Sequence, residues 1–225
     1  MDGRIDLHTH TLFSDGALLP SELLRRAVSR GYTGLALTDH ADASNLEGII
    51  ASLLRFAADQ KDDFELALLV GVELTHVAPR SIAALARRAK AAGAQLVVVH
   101  GETLVEPVAP GTNRAALECP DVDVLAHPGL LTAEEAELAA ANGIYLELST
   151  RRGHCLANGH VAALAREAGA RLLVDSDAHE PSDLADLDMA RRVALGAGLT
   201  PAEAEEAVQA APAALLRLAL ERRQK

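Results

Sequence analysis

Short apolar runs alternate with longer segments of helical spacing along the whole chain. The runs fall at residues 5–7, 34–38, 66–73, 95–99, 122–126, 144–148 and 171–174, seven in all. Most are continuous in Val, Ile and Leu and lack the polar alternation of a strand wetted on one face. Runs of that kind suit parallel strands covered on both sides. Between them lie Ala/Leu/Arg/Glu-rich segments at 20–29, 46–58, 80–92, 133–141 and 158–168. The first opens on Pro20, a residue favoured in a first helical turn. The phrases "RGYTGLAL", "AAGAQLVVV", "ANGIYLEL" and "EAGARLLV" each read as helix end, glycine cap, then strand. Such junctions make a repeating βα architecture, either a doubly wound sheet or a closed barrel. Segments 181–196, 201–210 and 212–222 predict a helical finish. No Gly/Ser-rich or Pro-rich tract divides the chain. The reading is one domain over residues 1–225 with C-terminal helices from about 183.

Composition narrows the partners. Hydrophobic residues make up 49 % of the chain but aromatics only 2 %, so a core must be built from Ala, Leu, Val and Ile. The net charge of −11 gives no general attraction to nucleic-acid backbones or anionic membranes. Cys119 and Cys155 form no CxxC pair and suggest no disulfide framework, which points to a reducing compartment. The first residues, with Asp2, Arg4 and Asp6, are no signal peptide, and no run approaches a membrane span. The expected location is the cytoplasm.

The chemistry lies at the strand ends. The first predicted strand runs into His8, followed by His10 and Asp15; the second into Asp39 and His40; the third into Glu73. The fourth ends at His100 and the fifth at His127, the sixth carries Glu147, and the seventh is followed by Asp175, Asp177 and His179. In parallel βα folds that edge is where sites are built, because the strand ends converge there. A lone histidine at a strand end is usually a capping or core residue. Here six of nine histidines reach the same edge. His8 and His10, like Asp177 and His179, are two residues apart, which on extended chain puts both side chains on one face. The pattern predicts bound metal ions. Imidazole with carboxylate suits Zn, Mn or Fe and is too nitrogen-rich for Ca or Mg. His76 reads as a loop or supporting residue, and His160 as a surface residue. His154 is a candidate substrate contact.

Together, "HTHTLFSDG", "TDHAD", "VGVELTH", "VVVHGE", "LAHPG" and "DSDAH" resemble the polymerase and histidinol phosphatase (PHP) family, most closely its small stand-alone histidinol-phosphatase-like members. The resemblance implies a distorted (β/α)7 TIM-like barrel and a cluster of two to three divalent metal ions. It implies that His8, His10, Glu73 and Asp177 hold a first ion, and that Asp15, His40 and His179 hold a second. His100 and His127 would hold a third, with Glu73 bridging to it. Asp15 stands where many members carry His.

The implied function is hydrolysis of a small phosphate monoester by a metal-activated hydroxide. Arg114, Arg151 and Arg152 follow strand ends and are candidate grips for phosphate oxygens. Other readings stay open. A phosphodiesterase or nuclease could act on nucleotides or short oligonucleotides, although long nucleic acid is disfavoured by the acidic, aromatic-poor chain. Amidohydrolase chemistry commonly needs a lysine at a strand end, and Lys61, Lys90 and Lys225 are not so placed. A non-catalytic binding barrel is disfavoured by the full set of competent ligand residues. The oligomeric state is open.

Overall fold

The computed structural model describes residues 3–60 and 64–222. Asp2, Lys61 and Lys225 lie outside the described residues. Among the described residues eight strands, all parallel, form one sheet: β1 (Arg4–Asp6), β2 (Tyr32–Leu37), β3 (His40–Ala41), β4 (Ala67–Leu74), β5 (Leu96–His100), β6 (Val124–Ala126), β7 (Tyr145–Ser149) and β8 (Leu172–Asp175). The spatial order is the chain order. β3 is not an additional barrel strand. It pairs with β4 in the register that β2 began, Leu37 opposite Val70 and His40 opposite Glu73. Thr38 and Asp39 interrupt one strand rather than separating two. The result is a distorted (β/α)7 barrel.

Helices α1 (Pro20–Ser29), α2 (Leu46–Asp59), α3 (Pro79–Ala91), α4 (Thr112–Leu117), α5 (Ala133–Asn142) and α6 (Asn158–Ala168) alternate with the strands. α1 and α3 open on proline, where the missing N–H costs nothing. α5 starts with a capping box between Thr132 and Glu135 and ends on Gly143 in the left-handed region, as α6 ends on Gly169. α4 is an element the sequence pattern did not reveal. Three helices follow the last strand: α7 (Leu187–Gly196), α8 (Pro201–Glu205) and, after a π-helical stretch over Glu206–Ala210, α9 (Ala211–Arg222). The helix expected from residue 181 begins only at Leu187. Its cap is Asp186, which accepts a hydrogen bond from the Met189 N–H.

Two apolar layers result from the two-residue period of the strands. Leu35, Leu37, Val70, Val72, Val97, Val99, Leu146 and Leu148 face outward and pack against the helices. Ile5, Leu7, Ala36, Leu69, Leu96, Val98, Val124, Tyr145 and Leu173 fill the barrel, joined by Ala211, Leu215, Leu216 and Ala219 of α9. α9 therefore plugs the end of the barrel at which the strands begin. Functional groups are left to the other end. Ile50 of α2 is fully buried in the outer layer. Ile50→Ala is expected to cost about 2–5 kcal/mol of stability, read as a lower midpoint in urea denaturation.

The ring closes between β1 and β8 by polar groups rather than by a full ladder. The backbone supplies one bridge, Thr9 with Ala178, with the His10 N–H donating to the Ala178 carbonyl at 2.9 Å. Buried side chains supply the rest. The Leu7 N–H donates to Asp175 Oδ1 (2.8 Å), the Ser176 N–H to Asp6 Oδ1 (3.1 Å), and Arg4 Nη2 to the Val174 carbonyl (2.6 Å). Among the described residues no helix is long and apolar enough to cross a membrane.

Candidate metal centre

Strand parity decides which side chains enter the mouth. Leu69 of β4 and Leu96 of β5 point into the barrel, so Glu73 and His100, four residues further on in each strand, do so as well. Tyr145 does the same for Glu147. His127 has the opposite parity, because Ala126 already faces the interior. Its backbone turns into the left-handed region, with φ of 30°, and carries the ring inward. Asp177 (φ 50°) and His76 (φ 52°) are the other two non-glycine residues of positive φ among those described. All three stand at the mouth, and such strain persists where surrounding structure holds a residue in place.

Glu73 is the hub. Its Oε1 lies 3.4 Å from His8 Nε2, 3.2 Å from His100 Nδ1 and 3.6 Å from His127 Nε2. Its Oε2 lies 3.7 Å from His10 Nε2 and 2.6 Å from His40 Nδ1. Asp177 Oδ1 lies 3.2 Å from His10 Nε2. On the open side, Asp15 Oδ1 lies 3.4 Å from His40 Nε2 and 3.1 Å from His179 Nε2. Among the groups of donors that result are His8, His10 and Glu73; His10, Asp15, His40 and His179; and Glu73, His100 and His127. All nine strand-end residues named as ligands are thus brought together.

The donors fit cations. His8 Nε2, His10 Nε2, His127 Nε2 and Asp177 Oδ1 are buried and make no hydrogen bond. Two donors each about 2.1 Å from a tetrahedral ion stand about 3.4 Å apart. The separations of 3.4 Å (His8 to Glu73), 3.2 Å (His10 to Asp177) and 3.6 Å (His127 to Glu73) have that size. The electrostatics agree. Burial opposes charge on His40, but Glu73 and Asp15 outweigh it and lift its pKa to about 10. Burial is likewise outweighed by Glu73 and Glu106 at His100, which rises to about 9. Burial, with His40 alongside, pushes His10 down to about 3. Burial would raise Asp177, yet His8, His10 and His127 hold it far below the usual carboxylate range. Protons on some imidazoles here balance buried carboxylates, the task a metal ion performs when it displaces them.

Supporting groups orient the ligands. Glu147 Oε2 lies 2.6 Å from His8 Nδ1. That contact turns His8 Nε2 toward Glu73 and raises its basicity. Glu147→Gln is expected to weaken metal binding about 10- to 100-fold, measurable by competition with a chromogenic chelator. Asp39 accepts from the Thr11 N–H and hydroxyl and from Ser14, and so pins the loop that carries Asp15.

The arginines diverge. Arg151 reaches the centre: its Nη1 donates to the Asp177 carbonyl at 3.0 Å and meets His179 Nδ1, and its Nε is 3.7 Å from Asp177 Oδ2. Arg152 is exposed beside it, lining a groove with Asp15, Arg151, His179 and Asp183. Arg114 does not reach the mouth. It lies exposed on α4, its Nε 2.9 Å from Glu118 one turn on and its Nη1 3.6 Å from Glu134. His154 is buried within the site, its ring centroid 4.2 Å from that of His127. Glu106, which the sequence pattern did not single out, enters from the loop after β5. It lines a mouth cavity of about 210 Å³ with Asp15, His40, His100, Arg151 and Asp177.

Comparison with known proteins agrees with this geometry. The PHP domain pattern matches residues 6–106. A protein of Methanocaldococcus jannaschii, MJ1295, described as uncharacterized, is 47 % identical over 215 residues, spanning 95 % of this chain and 99 % of that one. The chain belongs to the PHP domain family. A ribonuclease P protein component 3 from Methanosarcina barkeri is 28 % identical over 214 residues, covering 88 % of this chain and 82 % of its own. A 3',5'-nucleoside bisphosphate phosphatase from Chromobacterium violaceum is 37 % identical over 73 residues, 32 % of this chain and 26 % of that protein. The PHP assignment and the His/Glu groups support bound divalent metal and hydrolase chemistry for this barrel.

Proposed function

We propose that the chain is a metal-dependent phosphoesterase that cleaves a small phosphate monoester, in the manner of the histidinol-phosphatase-like PHP proteins. The observation that carries this reading is the convergence of five histidines on the single carboxylate of Glu73. His8, His10, Glu73 and Asp177 would hold one ion, Asp15, His40 and His179 a second, and Glu73, His100 and His127 a third. Zn, Mn or Fe suits the donors. Ions held there supply an activated water and neutralise phosphoryl oxygens.

The remaining tasks fall to the protein. The cavity of about 210 Å³ has room for a phosphoryl group and part of the group it is esterified to. Arg151, at the edge of the cavity, is placed to fork onto a phosphoryl oxygen by exchanging its contacts with the Asp177 carbonyl and His179. Arg152 stands where the organic part or a second anionic group would leave the mouth. Arg152→Ala is expected to raise KM about fivefold, the worth of about 1 kcal/mol for an exposed charge, with kcat and metal content unchanged. Loss of metal in that variant would reassign the residue.

Parallel assays on a chromogenic monoester, a chromogenic diester and an N-acyl substrate test the reading. The expected result is monoester turnover that a chelator abolishes and added metal restores. Diester turnover alone would make the chain a phosphodiesterase. Metal binding without hydrolysis of any ester or amide would leave a metal-bearing binding barrel and end the phosphoesterase reading.

A further inference from the structure

Beyond the nine strand-end residues, a further carboxylate, Glu106, gathers three imidazoles: His76, His154 and, from among the nine, His100. Glu106 Oε2 lies 3.1 Å from His76 Nε2 and 3.1 Å from His100 Nε2. Its Oε1 lies 3.4 Å from His154 Nε2. The four residues come from the loops after β4 and β5, the end of β5 and a short 3-10 helix after β7, and the fold alone unites them.

The ring nitrogens are already sorted. His154 Nδ1 is 2.8 Å from Thr103 Oγ1. When that nitrogen donates to the hydroxyl, Nε2 presents a lone pair toward Glu106. His100 faces two ways: Nδ1 lies 3.2 Å from Glu73 Oε1, while Nε2 turns to Glu106. That Nε2 is buried and makes no hydrogen bond, on a side chain only 3 % exposed. His76 completes the set from a left-handed backbone conformation, shared among described non-glycine residues only with His127 and Asp177.

We propose that the metal centre extends outward by one further divalent-cation position, held by His76 Nε2, Glu106 and His154 Nε2, with His100 Nε2 at its inner edge. The separations of 3.1 Å and 3.4 Å run from the two oxygens of Glu106, so a carboxylate gripping with both oxygens would draw His76 and His154 onto one small ion, and the donor atoms of His76, Glu106 and His100 lie within 4.8 Å of one another. Two or three imidazoles with one carboxylate select Zn or a similar transition metal over Ca or Mg. A neutral His100 bound inward through Nδ1 keeps a proton on Nε2. It becomes a fourth outer donor only by losing that proton to solvent, so the other three residues define the site. His76 and Glu106 are 41 % and 36 % exposed at their side chains, so this ion exchanges more readily than the buried ones. All four residues line the 210 Å³ cavity, and the open side of the ion faces the space assigned to the phosphoryl group. The inference rests on the metal-centre reading and not on which ester is cleaved.

The test is a calorimetric titration of Zn²⁺ into chelator-stripped full-length protein, with elemental analysis after desalting. The wild type is expected to bind its tight ions and then one weaker ion. His76→Ala removes an exposed side chain that is not among the nine ligands, and it is expected to lose the weaker ion alone. Glu106→Gln is expected to do the same, whereas Glu73→Gln loses tight ions. A wild type with no weaker ion overturns the proposal, as does a His76→Ala protein with unchanged count and affinity. If Glu106→Gln weakens a tight ion while His76→Ala is silent, Glu106 only orients His100, and the outer site is refuted. A folded wild type that binds no Zn²⁺ at all refutes this proposal together with the metal reading on which it stands. Circular dichroism on each variant separates these results from failure to fold.

Discussion

Glu73→Gln is expected to abolish the activity and empty the centre in one step, lowering phosphoester hydrolysis by at least about 10³-fold. The size follows from the several kcal/mol that bound cations contribute, at 1.36 kcal/mol for each factor of ten. The residue touches the nitrogens of five histidines: His8, His10, His40, His100 and His127. The amide keeps the shape of the side chain but removes the anionic charge that all three donor groups share or adjoin. Steady-state kinetics and elemental analysis on the same preparation check the result. A variant that keeps its metal and loses activity would make Glu73 an acid–base residue instead of a ligand. A variant that keeps both would remove it from the site.

The second large effect concerns stability. Arg4 is fully buried, donates to the carbonyls of Ile5 and Val174, and lies 3.5 Å from Asp6 Oδ2. Burial pushes the Asp175 carboxyl well above its ordinary pKa, with Asp6 and Glu147 adding to the rise and Arg4 working against it. Replacing Arg4 by Met fills the space but leaves two buried carboxylates facing each other across the seam without a cation. The expected cost is about 3–5 kcal/mol. Urea denaturation should show a much lower midpoint with an unchanged slope. Asp175→Asn in the Arg4→Met background should recover part of the loss, because it removes a buried carboxyl that must otherwise hold a charge or bind a proton. An Arg4→Met protein as stable as the wild type would mean that backbone pairing, and not this guanidinium, closes the ring.

The seam shows where sequence reading stops. Residues 5–7 look like the start of a strand, and the strand is there, one residue earlier, at Arg4–Asp6. Nothing in "RID" says that its charges are buried, since a polar residue at a strand start usually meets water. By contrast, the gathering of the nine strand-end residues at one mouth was legible because a two-residue period and a common C-terminal edge convert position into place. His127 needed one thing more, a backbone twist that no spacing rule encodes. Glu106 was hidden for a different reason. It lies in an irregular loop, and His76 reaches it from another loop and His154 from a 3-10 helix, segments that only the closed barrel brings together. The expectation for Arg114 failed on direction. Following a strand end places a residue near the mouth, but on α4 its side chain runs along the helix to Glu118. α4 itself, six residues long, is too short for helical periodicity to register.

Metal content decides the account most directly. The protein should be purified without added metal or chelator, analysed for Zn, Mn and Fe, and assayed on a phosphate monoester before and after chelation. The account predicts at least two transition-metal ions per chain and monoester hydrolysis that disappears with the chelator and returns with the metal. A folded protein that holds no metal, takes none up, and is indifferent to chelation would contradict it.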